Sequence, residues 1–66
     1  MRVLTFEQLT VNQRVRFFSE NPEREPVGTI ISVDPVSEWI VIEWDDDEFP
    51  RTDLDAARAM RILEVL

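Results

Sequence analysis

The chain contains no cysteine, histidine, lysine or tyrosine, and only one glycine. Without cysteine, neither a disulfide nor a thiolate zinc site is available. Without histidine, the side chain whose pKa lies nearest neutrality is missing, and with it the commonest metal ligand. The lack of lysine removes any Schiff-base amine. Most hydrolytic, transfer and redox chemistries lose their usual agents, so the chain reads as a non-enzyme with no cofactor and no metal. No apolar run approaches the ~20 residues of a membrane span. The N-terminus has no signal-peptide pattern, and a cytoplasmic protein without membrane contact is expected.

What is present is a short acidic chain with enough apolar residues to fold. Its 66 residues make one small domain, residues 1–66. A hydrophobic content of 44% is too high for a disordered acidic tail. Fourteen acids against seven arginines leave a net charge of −7, the opposite of the basic footprint that phosphate backbones require. The charge is also uneven. Between Glu38 and Asp55 the acids Glu38, Glu43, Asp45, Asp46, Asp47, Glu48, Asp53 and Asp55 face Arg51 alone. Elsewhere Glu7, Glu20, Glu23, Glu25, Asp34 and Glu64 are balanced by Arg2, Arg14, Arg16, Arg24, Arg58 and Arg61. All the surplus therefore belongs to one segment, which sets up a directional field able to steer a cationic partner. A solvated loop that only aids solubility is the plainer reading.

The hydrophobic pattern is that of short strands. Thr5-Phe6-Glu7-Gln8 fits a capping box and predicts a helical turn over 5–10. Val11, Val15 and Phe17 alternate with Arg14 and Arg16, giving a strand over 13–18. Ser19 to Pro26 reads as an exposed loop. The run from Val27 to Val33 is a second strand with Val27, Thr29, Ile31 and Val33 on one face, and its lone Gly28 marks a bulge or a close backbone approach. Asp34-Pro35-Val36-Ser37 is a turn. Glu38 to Trp44 is the strongest strand; being apolar on both faces, it is expected to be central and covered on both sides. Asp45 to Glu48 turns the chain without glycine, by aspartate's tolerance of the left-handed region. Phe49 to Thr52 follows as a short edge strand, then a helix capped near Thr52-Asp53 and running to about Met60. A last strand spans Met60 to Leu66, with Met60 and Ile62 alternating against Arg61, Leu63 and Val65; the alternative is that the helix from residue 53 continues through it.

This order is an all-β, five-stranded barrel with a short helical turn before the last strand. Gly28-Thr29-Ile30, Val41 to Phe49 and Asp53-Leu54 carry a resemblance to the SH3-like small barrels, among them Tudor, KOW and MIB/HERC2-type modules. In those modules glycine commonly follows the Trp-Asp-Asp run, where this chain has Asp47. The resemblance implies an interaction module, in a fold that hosts many unrelated roles.

The candidate surface is Glu43, Trp44, Asp45, Asp46, Asp47, Glu48 and Phe49, with Asp53 and Asp55. It is expected to bind a basic protein surface, with Trp44 and Phe49 as apolar anchors and the charges setting the on-rate. The alternative is a DNA-mimic inhibitor or regulator from a phage or mobile element, its carboxylates standing in for phosphates. An aromatic cage of Trp39, Trp44 and Phe49 for methylated cations competes with core packing of the same rings. A calcium loop at Asp45 to Glu48 fails because Pro50 takes the place of the EF-hand glycine. Glu43 and Asp45 lack the burial that would part their pKa values for catalysis. Arg14, Arg16, Arg24 and Arg61 offer a weaker RNA-binding reading, and direct nucleic-acid binding is not expected. Apolar Ile62, Leu63, Val65 and Leu66 make a homodimer conceivable on so thin a core.

Overall fold

The computed structural model describes residues 5–66. Arg2, counted above among the balancing arginines, lies outside them. Five antiparallel strands form one sheet curled into a half-barrel: β1 (Arg14–Phe17), β2 (Val27–Asp34), β3 (Trp39–Trp44), β4 (Thr52–Asp55) and β5 (Leu63–Val65). Their spatial order is β4-β3-β2-β1-β5. A short helix, α1 (Ala56–Ile62), precedes β5 as expected, and 3-10 turns occupy Phe6–Gln8 and Pro22–Arg24. No helix among the described residues is long and apolar enough to cross a membrane.

The first turn forms where the capping box lies: Thr5 N–H donates to Gln8 Oε1 at 3.0 Å, and Gln8 N–H to Thr5 O at 3.2 Å. The chain then turns at Asn12, whose φ of 75° suits asparagine better than most residues. That turn leaves Val11 half exposed rather than on the strand's inner face.

β2 corrects the face assignment read from alternation. Its register with β3 runs Gly28↔Trp44, Thr29↔Glu43 and Ile30↔Ile42, then slips to Ser32↔Val41 and Val33↔Ile40. Ile31 is the extra residue, a bulge that reverses the strand's parity. Gly28 and Ile30 face the core before it and Val33 packs inward after it, while Ile31 is exposed. The glycine is the close approach and not the bulge. A Cβ on Gly28 would lie 2.7 Å from Trp44 Cε3, 2.8 Å from Ile42 Cγ2 and 3.0 Å from Glu43 O.

β3 is central, between β2 and β4, but it is covered on one side only. Ile40, Ile42 and Trp44 are buried, whereas Trp39 and Glu43 are exposed and Val41 is half-buried. The described residues of so short a chain supply one layer of sheet and seven residues of α-helix, and none of them forms a second layer over the outer face. The β2–β3 turn is held by Asp34, whose Oδ1 accepts from Val36 N–H at 2.9 Å and Ser37 N–H at 3.3 Å. These two amides stabilise the ionised carboxylate and hold its pKa below the usual range, the Ser37 bond contributing most.

The strand expected at Phe49–Thr52 lies three residues later. Pro50 has no N–H for a ladder, and pairing begins at Ile42↔Thr52 and ends at Trp39↔Asp55. Asp55, not Thr52 or Asp53, is the helix cap: its Oδ1 accepts from Arg58 N–H at 2.7 Å. Helix α1 buries Ala56 and Ala59, with Met60 beside them. Two alanines let the helix axis approach the sheet closely. The last strand is shorter than expected and inward at Leu63 and Val65. These join Leu9, Val15, Ile30, Ile40, Ile42, Trp44 and Leu54 in a single apolar core.

Candidate functional site

Strand parity decides what each acidic residue can do. Because Ile40, Ile42 and Trp44 point inward, Trp39, Val41 and Glu43 point outward. Their partners share that outer face: Asp55 opposite Trp39, Asp53 opposite Val41, and Thr29 opposite Glu43. Thr29 in turn sits opposite Arg14 of β1. One outer surface of β1 to β4 therefore carries arginine at one side and carboxylates at the other.

Part of the acidity is already neutralised. Arg14 grips Asp45 with both terminal nitrogens, Nη1 to Oδ1 at 2.7 Å and Nη2 to Oδ2, and also donates to Thr29 Oγ1 at 2.8 Å. The Arg14 hydrogen bond lowers the Asp45 pKa and raises that of Arg14. Both side chains are about half exposed, 45% and 52%, so the fork orients the turn more than it stabilises the fold. Arg51 pairs with Glu43 at 3.1 Å. Arg16 pairs with Glu64 at 2.8 Å across β1 and β5. Arg14 and Arg16, the strand pair of the RNA reading, are thus both engaged.

The β3–β4 turn is self-supporting. Asp46 Oδ1 accepts from Glu48 N–H at 2.9 Å, and Asp46 O from Phe49 N–H at 3.1 Å. No residue from Asp45 to Glu48 takes a positive φ. Neither glycine nor aspartate's tolerance of the left-handed region is needed, so the turn forms with Asp47 in place. The side chains of Asp47, Glu48 and Asp53 stand exposed, with no ion pair among the described residues. Phe49 is exposed beside them.

The structure does not bring the three rings of the aromatic cage together. Trp44 is 7% exposed. It packs on Phe17 with ring centroids 5.1 Å apart and donates from Nε1 to Thr52 Oγ1 at 2.9 Å. Trp39 is exposed at the far end of β3, about 16 Å away at the usual strand rise and on the opposite face. Trp44 consequently serves the core, and of the two expected anchors only Phe49 is at the surface. Asp55 divides its role, since its carboxylate caps α1.

Sequence reading missed a cavity of about 240 Å³. Phe17, Ile42, Trp44, Leu54, Ile62 and Leu63 supply its apolar lining, and Thr52, Asp53 and Arg58 its polar part. It lies where the half-barrel stays open, between β4 and the α1–β5 segment. No local signal marks it, because its walls come from five separated elements. No group of three or more His, Cys, Asp or Glu side chains among the described residues is placed to hold a metal ion. No protein-family model matches this chain, and no curated protein or solved structure gives a significant match.

Proposed function

We propose that this protein is a non-catalytic interaction module of the SH3-like barrel kind, docking a basic protein surface through the β3–β4 turn and the adjoining β4 strand. One observation carries the reading: Asp46, Asp47, Glu48 and Asp53 are exposed with no ion pair among the described residues, while Asp45 and Glu43 are already balanced by Arg14 and Arg51. Four carboxylates without an ion pair are therefore gathered in and beside one turn, next to the exposed ring of Phe49. Such a field accelerates encounter with a cationic surface, and a desolvated aromatic then slows release. Arg14 and Arg51, paired with carboxylates on the same outer face, favour a protein partner over the DNA-mimic reading, which asks for carboxylates spread over most of a surface.

The test uses the intact chain and an arginine-rich probe peptide in stopped-flow mixing. Neutralising the turn with Asp47→Asn and Glu48→Gln lowers the association rate roughly tenfold at low salt and leaves the melting temperature equal or higher. Phe49→Ala acts instead on the dissociation rate. Association kinetics that ignore both the neutralisation and added salt overturn the proposal. Competition with duplex DNA for a common basic protein would replace it with mimicry.

A further inference from the structure

The outer edge of β4, lying over the 240 Å³ cavity, has the form of a strand-addition site. Among the described residues β4 ends the sheet, and its only strand partner there is β3. The polarity of that pairing follows from two bonds beyond the ladder: Ala56 N–H donates to Glu38 O at 2.8 Å, and Asp45 N–H to Val27 O at 2.9 Å. Antiparallel pairs alternate between those that exchange hydrogen bonds and those that do not. Counting from these two bonds, Thr52 and Leu54 direct their N–H and C=O toward β3, whereas Asp53 directs both away from the sheet. No described residue pairs with these groups, so Asp53 offers a donor and an acceptor on an open edge.

Beneath this edge the inner side is apolar and unfilled. Thr52, Asp53 and Leu54 border the cavity, and Phe17, Trp44 and Leu63 line it further in. A cavity of 240 Å³ has room for one or two aliphatic side chains. On the outer side the neighbours are Asp53 and Asp55, opposite Val41 and Trp39. An added strand would alternate in step with the pleat. Residues facing Thr52 and Leu54 would point into the cavity, and those facing Asp53 and Asp55 would meet carboxylates.

We propose that the β4 edge and the cavity below it bind an extended segment of a partner protein with alternating apolar and basic residues. Charge complementarity selects this occupant over a second copy of the chain. Two β4 edges pairing antiparallel would set Asp53 and Asp55 against the same residues, and like charges directly opposed across strands are unfavourable. An arginine or lysine in those positions converts the repulsion into attraction, and main-chain bonds to Asp53 supply affinity as in other strand additions. The inference deepens the proposed function and rests on it for the class of partner, yet it concerns a different surface from the turn.

The test is a titration of the intact protein with the peptide acetyl-Val-Arg-Leu-Arg-Val-amide, followed by Trp fluorescence and amide hydrogen exchange. The expected result is saturable binding that slows exchange of the Asp53 amide. Methylating the one peptide nitrogen that bonds Asp53 O weakens binding about tenfold, and methylating the adjacent, outward nitrogen changes it less than twofold. Replacing both arginines by glutamate abolishes binding, and Asp53→Lys restores it for the glutamate peptide. Equal binding of both methylated peptides, or an unprotected Asp53 amide at saturation, overturns the edge proposal. If arginine-dependent association through Asp47 and Glu48 persists in that case, only the edge proposal has failed. A concentration-dependent dimer that protects Asp53 without peptide also overturns it.

Discussion

β3 carries a tryptophan at each end, and the two have opposite surroundings. Trp44 is closed in by Phe17, Gly28 and Thr52, while Trp39 is 41% exposed. They are the same residue type in the same strand, separated by an odd number of positions. Parity alone sends one ring into the core and leaves the other on a face with no covering layer. The contrast shows how a single sheet divides its work, with one face holding the molecule together and the other left to make contacts.

Replacement of each ring separates the two roles most sharply. Trp44→Ala should cost about 3–5 kcal/mol, the range for a buried large aromatic. Trp39→Ala should cost under about 1 kcal/mol. Urea melts of the two variants give the comparison directly, and similar losses would mean that Trp39 is packed in solution.

A smaller effect is expected where Trp44 rests on the sheet. Gly28→Ala sets a methyl within 3.0 Å of Trp44, Ile42 and the Glu43 carbonyl. The buried ring and the neighbouring strand must both shift to admit it, so about 1–3 kcal/mol should be lost. Thermal denaturation with near-ultraviolet circular dichroism would follow both the loss and the displaced indole. An unchanged melting temperature would show that the contact between the ring and β2 is loose.

The outer face should respond least, and chiefly to pH. The Arg14 guanidinium holds the Asp45 carboxyl below its ordinary 3.8. A depressed carboxylate contributes stability that is present above the unfolded value and is lost as pH falls through the lower folded one. The effect is therefore confined to pH values below about 4. Arg14→Gln should raise the Asp45 midpoint toward its ordinary value in a carboxyl-detected NMR titration, with little change in stability at neutral pH. A midpoint indifferent to this substitution would mean that the fork does not persist in solution.

Some of this was legible from residue order. Alternation in Val15 to Phe17 and Ile40 to Trp44 identified strands, and Thr5 with Gln8 identified the first turn. The proline after Asp34 marked the hairpin turn, and the Asp34 carboxylate that holds it emerged only in the structure. Boundaries near β4 are not legible in the sequence because Thr52, Asp53 and Asp55 are all competent helix caps. The choice among them was made by pairing with β3, a contact between segments. The acidic candidates were identifiable by composition, but their separation into paired and unpaired sets was not. Arg14 is 31 positions from Asp45 and meets it only through the sheet.

Sequence by itself determined the all-β class, the strand order along the chain and the concentration of surplus charge between Glu38 and Asp55. These depend on periodicity and composition, which are local. Tertiary structure alone decided that Ile31 bulges, that Trp44 is buried while Trp39 is exposed, and that a cavity opens beneath β4. Each of these depends on the register between strands, and a shift of one residue exchanges the inner face for the outer.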